Sequence, residues 1–409
     1  MAVPRRSALS TPPRCMTQSH TVASVAPERL FSPIRSTNTA YLYTESEYEL
    51  LSRASGPLWD RVRDAIEQWY ARYPDTGGDL RARFRDTDPR QHAAAWWELY
   101  VYTLFRSLAY DMEVHPALTG SSRRPDFLAQ QGNTAIYIEC AVAFDSPNSA
   151  RADSEAWLKD CINAVASPDF GFSLRINSAG LRRAQKADVI AQIEGWVSQL
   201  DYEAERATRR DGEPGPSKRF TFADSIVTLT ALALPPQQRG TNDQTILIGP
   251  AVTDVGETSI GRLKKLVNKK ASQCRAVNDT FIVAVLNRMV FAQQRQVDQA
   301  MFGRESSTYL LNEDVTAVRS VERKRLQDGL WHPGPPPRGG RVSGVLFGEN
   351  LSAAYVAARL PTLWVNPWAS RRIPDGLPFQ RRSANEGGVV FNQADATAQP
   401  GSILALPAE

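Results

Sequence analysis

One helix limits what this chain can fold into. In residues 86–110, "DTDPRQHAAAWWELYVYTLFRSLAY", Asp88 is placed to cap the first turn and Pro89 fits the first helical position. Ala94, Trp97, Val101, Leu104, Phe105 and Leu108 recur at helical spacing and make one apolar face. Such a face must be covered, and the next three segments are short and strand-like: "DMEVHPAL", "PDFLAQQ" and "TAIYIECAVAF". Turn residues ("TGSSRR", then "QGN") separate them, which predicts an antiparallel meander lying on the helix.

The third strand carries an anomaly. Alternation puts Ile136, Ile138, Cys140 and Val142 on one face and Tyr137, Glu139 and Ala141 on the other. Both faces are apolar apart from Glu139. An ionised carboxylate in that setting needs a cation or a metal. Asp126 opens the preceding strand, thirteen residues earlier. Pairing through the short "QQGNT" turn brings the two carboxylates to one end of the meander. Glu98 stands at the margin of the helix's stripe, about 60° from its centre at roughly 100° per residue. Two or three convergent carboxylates suit a hard cation such as Mg²⁺, or Mn²⁺ in its place.

The rest of the chain falls into segments. Residues 1–40 are rich in Pro, Ser and Thr without periodicity and read as a disordered tail. Residues 41–88 form a helical segment in which Leu51, Leu58, Val62, Ile66 and Trp69 recur. A core follows over 89–310, with an insertion at about 146–220 that holds a helix near 155–165, the strand "FGFSLRI" and a charged helix over 185–209. "SIVTLTALAL" and "TFIVAVLN" read as strands, and "GETSIGRLKKLVNKKASQCRA" as a helix between them. Residues 311–409 are a linker ("WHPGPPPRGG") and a C-terminal extension with strand-like "VSGVLF" and "TLWVNPWA".

Order and spacing of these elements carry a family resemblance. A helix with Glu98 in "WWELY", a strand opening with Pro125-Asp126 in "RRPDF", and Glu139 in "YIECA" resemble the PD-(D/E)xK restriction-endonuclease-like superfamily. The "KKASQC" helix and "TFIVAVL" strand extend the likeness to an αβββαβ core, over residues 90–145 and 225–300. The resemblance implies an α/β fold with a mixed sheet, and a nuclease in which Glu98, Asp126 and Glu139 hold Mg²⁺. The superfamily pattern places a lysine two residues after the Glu; here that position is Ala141. The "GRLKKLVNKKASQCRA" helix offers a replacement. Leu263, Leu266, Val267, Ala271 and Cys274 form its core stripe, and Lys270 falls inside that stripe. A lysine aimed at a core must snorkel or find an anion. The expected catalytic set is therefore Asp126, Glu139, Lys270 and Glu98. The alternative is an inactive member of the same fold that binds nucleic acid or protein.

Charge and composition narrow the partners. With 48 basic and 44 acidic residues the net charge of +4 does not by itself argue for a polyanion. The basic residues are local: Arg123 and Arg124 precede Pro125, and residues 261–276 hold six basic side chains and no acid. Arg123, Arg124, Lys264, Lys265 and Lys269 would form a rim for the phosphates of nucleic acid, with DNA the expected partner. Four scattered cysteines without a CxxC pair argue against structural zinc and for reduced thiols in a cytoplasmic protein. His92 and His115 are isolated and read as structural, and Trp364 and Trp368 as core packing. No apolar run is long enough to span a membrane, and the basic N-terminus lacks the apolar core of a secretory signal; a transit peptide is its alternative reading.

Overall fold

A computed structural model describes residues 29–36, 42–144, 149–210, 214–241, 244–249, 256–289, 293–311, 318–334, 337–349, 351–385 and 389–404. Most of the expected tail, Cys15 included, lies outside them. The chain begins with helices α1 (Glu47–Arg53), α2 (Pro57–Tyr70), α3 (Asp79–Phe84) and α4 (Pro89–Ser107). Strands β1 (Asp111–Val114), β2 (Phe127–Gln131) and β3 (Thr134–Phe144) follow. Next come α5 (Ser149–Asn163), β4 (Phe170–Ser178), α6 (Lys186–Val197), α7 (Tyr202–Arg210), β5 (Ser217–Phe222), β6 (Ser225–Ala233) and β7 (Ile246–Ile248). The chain continues through α8 (Gly256–Gln273), β8 (Thr280–Arg288), α9 (Gln294–Phe302) and the hairpin β9 (Glu305–Leu311) and β10 (Val318–Arg325). Strands β11 (Gly344–Gly348), β12 (Thr362–Val365), β13 (Arg381–Ala384) and β14 (Val390–Ala394) and the short α10 (Pro400–Ile403) complete it.

The fold is mixed α/β. An eight-stranded sheet has the order β1-β2-β3-β8-β11-β12-β13-β14. The expected meander is present: β1, β2 and β3 pair antiparallel, and β3 then pairs parallel with β8 from Ile136↔Thr280 to Phe144↔Arg288. One face of the sheet, with Ile136, Ile138, Cys140, Ala284 and Leu346, packs against α4 and the N-terminal helices. The other face, with Ala141, Val283, Val345 and Trp364, packs under α8 and α9 through Leu263, Val267, Val297 and Met301. No described helix is long and apolar enough to cross a membrane.

Helix α4 starts as its sequence requires, with the Asp88 carboxylate accepting the N–H of Arg90 at 2.9 Å. It is not one-faced, however. Every residue from Ala95 to Phe105 is buried, because α1–α3 cover the side turned away from the sheet. The indole of Trp97 donates to the Ala284 carbonyl at 2.9 Å and ties the helix to β8.

Four boundaries differ from the sequence reading. Residues 29–36 belong to the fold: Leu30 and Phe31 are buried, and their N–H groups donate to the Glu67 carboxylate. Two apolar residues in a polar stretch gave too little periodicity to reveal this. The charged helix at 185–209 is two helices, because Asp201 accepts the N–H groups of Glu203 and Ala204 and starts a new one. The insertion extends past 220, since β6 and β7 join β4 and β5 in a separate four-stranded sheet with its own core. The C-terminal region is no mere extension. Strand β11 is buried throughout and pairs parallel with β8, so residues 344–394 supply half of the main sheet, and Trp331 of the expected linker is a core residue. Trp364 packs in the core as expected, its indole donating to Asp298 at 2.8 Å.

A chain ending at residue 340 should therefore not fold cooperatively, because β8 loses its neighbour along one edge and the cores on the two faces lose Leu346, Leu363 and Phe379 on one side and Val345, Phe347 and Trp364 on the other. Urea denaturation followed by tryptophan fluorescence checks this; a cooperative transition in the truncated chain would contradict the assignment.

Candidate functional site

Two strand ends and two helices converge beside the meander. The β2–β3 register pairs Phe127 with Ile138, which sets Asp126 opposite Glu139 just beyond the ladder. Asp126 Oδ2 accepts the N–H of Cys140 at 2.6 Å, and the Asp126 carbonyl accepts the N–H of His115 at 2.9 Å. His115 holds a left-handed backbone, φ 51°, at the turn out of β1. Glu139 is buried and points to the face covered by α8. There Lys270 Nζ donates to Glu139 Oε1 at 2.7 Å, and the Cys274 thiol donates to Oε2 at 3.4 Å. The lysine predicted to lie inside the α8 stripe thus meets the carboxylate predicted to need a cation.

Glu98 has a different partner. Arg83, on α3, donates from Nη1 and Nη2 to its two oxygens at 2.9 and 2.7 Å. The same guanidinium donates from Nε to Asp79, also at 2.9 Å. Among the described residues, no three Cys, His, Asp or Glu side chains gather as a ready-made metal centre. Glu98 is closed off by the fork of Arg83, leaving Asp126 and Glu139 as the carboxylates that face one another. Nothing in the local pattern marks Arg83, because the pair forms across a helix–helix corner between residues fifteen apart in the chain. Cys274 was visible only as a core residue.

Electrostatics follow from burial and crowding. Burial, then the charge of Glu139, pushes Asp126 up to about 6. Burial, and beyond it the nearby Asp126, also raises Glu98 against the pull of Arg83. Burial alone would lower Lys270, but Glu139 and Asp126 hold it above the ordinary lysine range. Arg83 is likewise held charged by Glu98 in spite of its burial. Burial and then Glu139 lift the Cys274 thiol to about 12, and burial lifts Cys140 well above the usual thiol range, so neither is a ready nucleophile.

Comparison of the chain with family models, curated proteins and solved structures finds no match. Its own geometry is therefore the guide. Of the basic residues expected to face phosphates, Arg123, Arg124, Lys265 and Lys269 are exposed. Lys264 is half-buried, and its Nζ donates to the Asp328 carbonyl at 2.6 Å, so it is already committed. His92 is structural as expected: it is buried, with Nδ1 at 2.5 Å from the Phe84 carbonyl.

Facing carboxylates are the donor type a hard divalent cation takes, with Lys270 and Cys274 bonded to the two Glu139 oxygens in this structure. Both facing groups are carboxylates, and Asp126 Oδ1 has no hydrogen-bond partner among the described residues. Mg²⁺ typically takes one or two carboxylates and fills its shell with water and phosphate.

The raised Asp126 gives a pH signature. Its protonated form is the one the fold prefers, so its favourable contribution is complete below its unfolded pKa of about 4 and is lost as pH rises through about 6. Asp126→Asn should be more stable than the wild type at pH 8, by about 1–3 kcal/mol, with the difference vanishing near pH 4. Thermal melts of both proteins across that range check it.

Proposed function

We propose that this chain is a restriction-endonuclease-like, divalent-cation-dependent nuclease that hydrolyses phosphodiester bonds, with DNA the favoured substrate. The observation that carries the reading is the 2.7 Å contact of Lys270 Nζ with Glu139 Oε1, made from a helix where the strand itself offers Ala141. The fold supports it. The run α4–β1–β2–β3–α8–β8 has an antiparallel meander, a helix on each face and β8 parallel to β3, the arrangement that the Pro125-Asp126 and Glu139 motif implies.

In this reading Asp126 and Glu139 hold the cation, and Glu98 joins them only if Arg83 lets go. A bound Mg²⁺ or Mn²⁺ supplies Lewis acidity toward a phosphate oxygen and lowers the pKa of water. Lys270 stays protonated beside the carboxylates, so it acts as a fixed positive charge that stabilises negative charge on the phosphoryl oxygens rather than as a base. Arg123, Arg124, Lys265 and Lys269 would bind the flanking backbone phosphates.

A second reading has its own support. Lys270 and Cys274 between them occupy both oxygens of Glu139, and Arg83 occupies both of Glu98, as in a core whose charges are paired for stability in a binding module without catalysis. Glu139→Gln and Lys270→Met separate the two. A nuclease should lose metal-dependent cleavage of single- or double-stranded DNA by on the order of 10²-fold or more and remain folded. A purely structural pair should instead lose about 3–5 kcal/mol of stability when one partner is stranded. Cleavage and denaturation measured on the same two proteins decide between them. DNA affinity should also fall steeply with salt, and Arg123→Gln with Arg124→Gln should flatten that dependence. Salt-independent binding would remove the nucleic-acid reading.

A further inference from the structure

We infer that Arg83 is a latch that couples cation binding to phosphodiester binding, holding Glu98 in the free protein and passing to a substrate phosphate when the cation enters. The inference rests on the metal-dependent reading of the site. Its first support is the double engagement of the guanidinium. Nη1 and Nη2 hold the buried Glu98, while Nε holds Asp79, whose side chain is 72% exposed. Arg83 can release Glu98 and keep its bond to the exposed Asp79. Its charge is then solvated and paired, and both Nη groups are free to fork onto a phosphate.

The second support is charge balance. Three buried or partly buried carboxylates (Glu98, Asp126, Glu139) share two cations, Arg83 and Lys270. Asp126 is the one with no cation bonded to it among the described residues. Leaving out the solvent-exposed Asp79 that Arg83 also holds, the buried cluster is thus one positive charge short. A divalent cation entering alone overshoots by one positive charge and must compete with Arg83 for Glu98. A phosphodiester brings the single negative charge that balances the set and gives Arg83 a new partner. Cation and substrate should therefore bind weakly apart and tightly together, and Arg83 is the residue through which they are linked.

Calorimetric titration of Mn²⁺ into the full chain tests this, alone and with a short DNA duplex carrying phosphorothioate linkages, which keep the backbone charge and resist cleavage. A methylphosphonate duplex, whose linkages are uncharged, is the control. For the wild type, the phosphorothioate duplex should tighten the Mn²⁺ dissociation constant about tenfold or more, and the methylphosphonate duplex should not. Arg83→Gln should bind Mn²⁺ alone about tenfold tighter than the wild type, because the competitor is gone, and should gain little from either duplex. Arg83→Lys keeps the charge but loses the fork. It should fall between the two, and it serves as the test if the glutamine variant does not fold. Unchanged Mn²⁺ affinity in both variants, or tightening by the duplex that persists without Arg83, overturns the latch while leaving the metal site standing. A wild type that binds no Mn²⁺ overturns the metal reading and the latch with it.

Discussion

The parallel pairing of β3 with β8 is the constraint on which the site depends. Parallel neighbours cannot be joined by a tight turn, so the chain must travel back along the sheet before β8 can begin. Helix α8 makes that return and lies over the face of β3 that carries Glu139. The crossover therefore delivers Lys270 and Cys274 to a carboxylate more than a hundred residues earlier in the chain. The inserted α5–β7 segment interrupts this crossover without disturbing it, because its four-stranded sheet buries Phe172, Leu174, Trp196 and Leu229 in a core of its own.

The second cation reaches the cluster from the other side of the sheet. Helix α4 is buried all round, so it needs a covering layer, and α3 is part of that layer. Packing α3 against α4 brings Arg83 to Glu98. Two unrelated packing requirements, a crossover on one face and a helix cover on the other, thus bring Lys270 to Glu139 and Arg83 to Glu98. Burying so many charges is costly, and each pair offsets part of its own desolvation. Asp126 is the unbalanced member, and the fold tolerates it at the end of a strand, where one oxygen takes the Cys140 N–H.

Much of the centre was legible because it rests on local periodicity. The cap at Asp88, the three strands of the meander and the α8 stripe are set by spacings of two and three to four residues, which a chain displays in one dimension. The opposition of Asp126 and Glu139 followed from a short turn and alternation. Lys270 could be singled out because a lysine inside an apolar stripe demands an anion, and Glu139 inside an apolar strand demands a cation. In the folded chain the two demands answer one another.

What the tertiary structure decided were the contacts with no local signal. Leu30 and Phe31 look like tail residues until α2 offers the Glu67 carboxylate to their N–H groups. Strand β11 is five residues long and buried throughout, too short for a pattern to reveal that it sits beside β8 at the middle of the sheet. Glu98, at the margin of its helix, reads from sequence as a metal ligand or a solvent-margin carboxylate, and the packing of α3 gives it Arg83. Sequence alone fixed which side chains needed an opposite charge, because an apolar setting penalises an unpaired one wherever it stands. Which partner each received depended on helix and sheet packing across long separations, where no residue's neighbours in the chain carry the information.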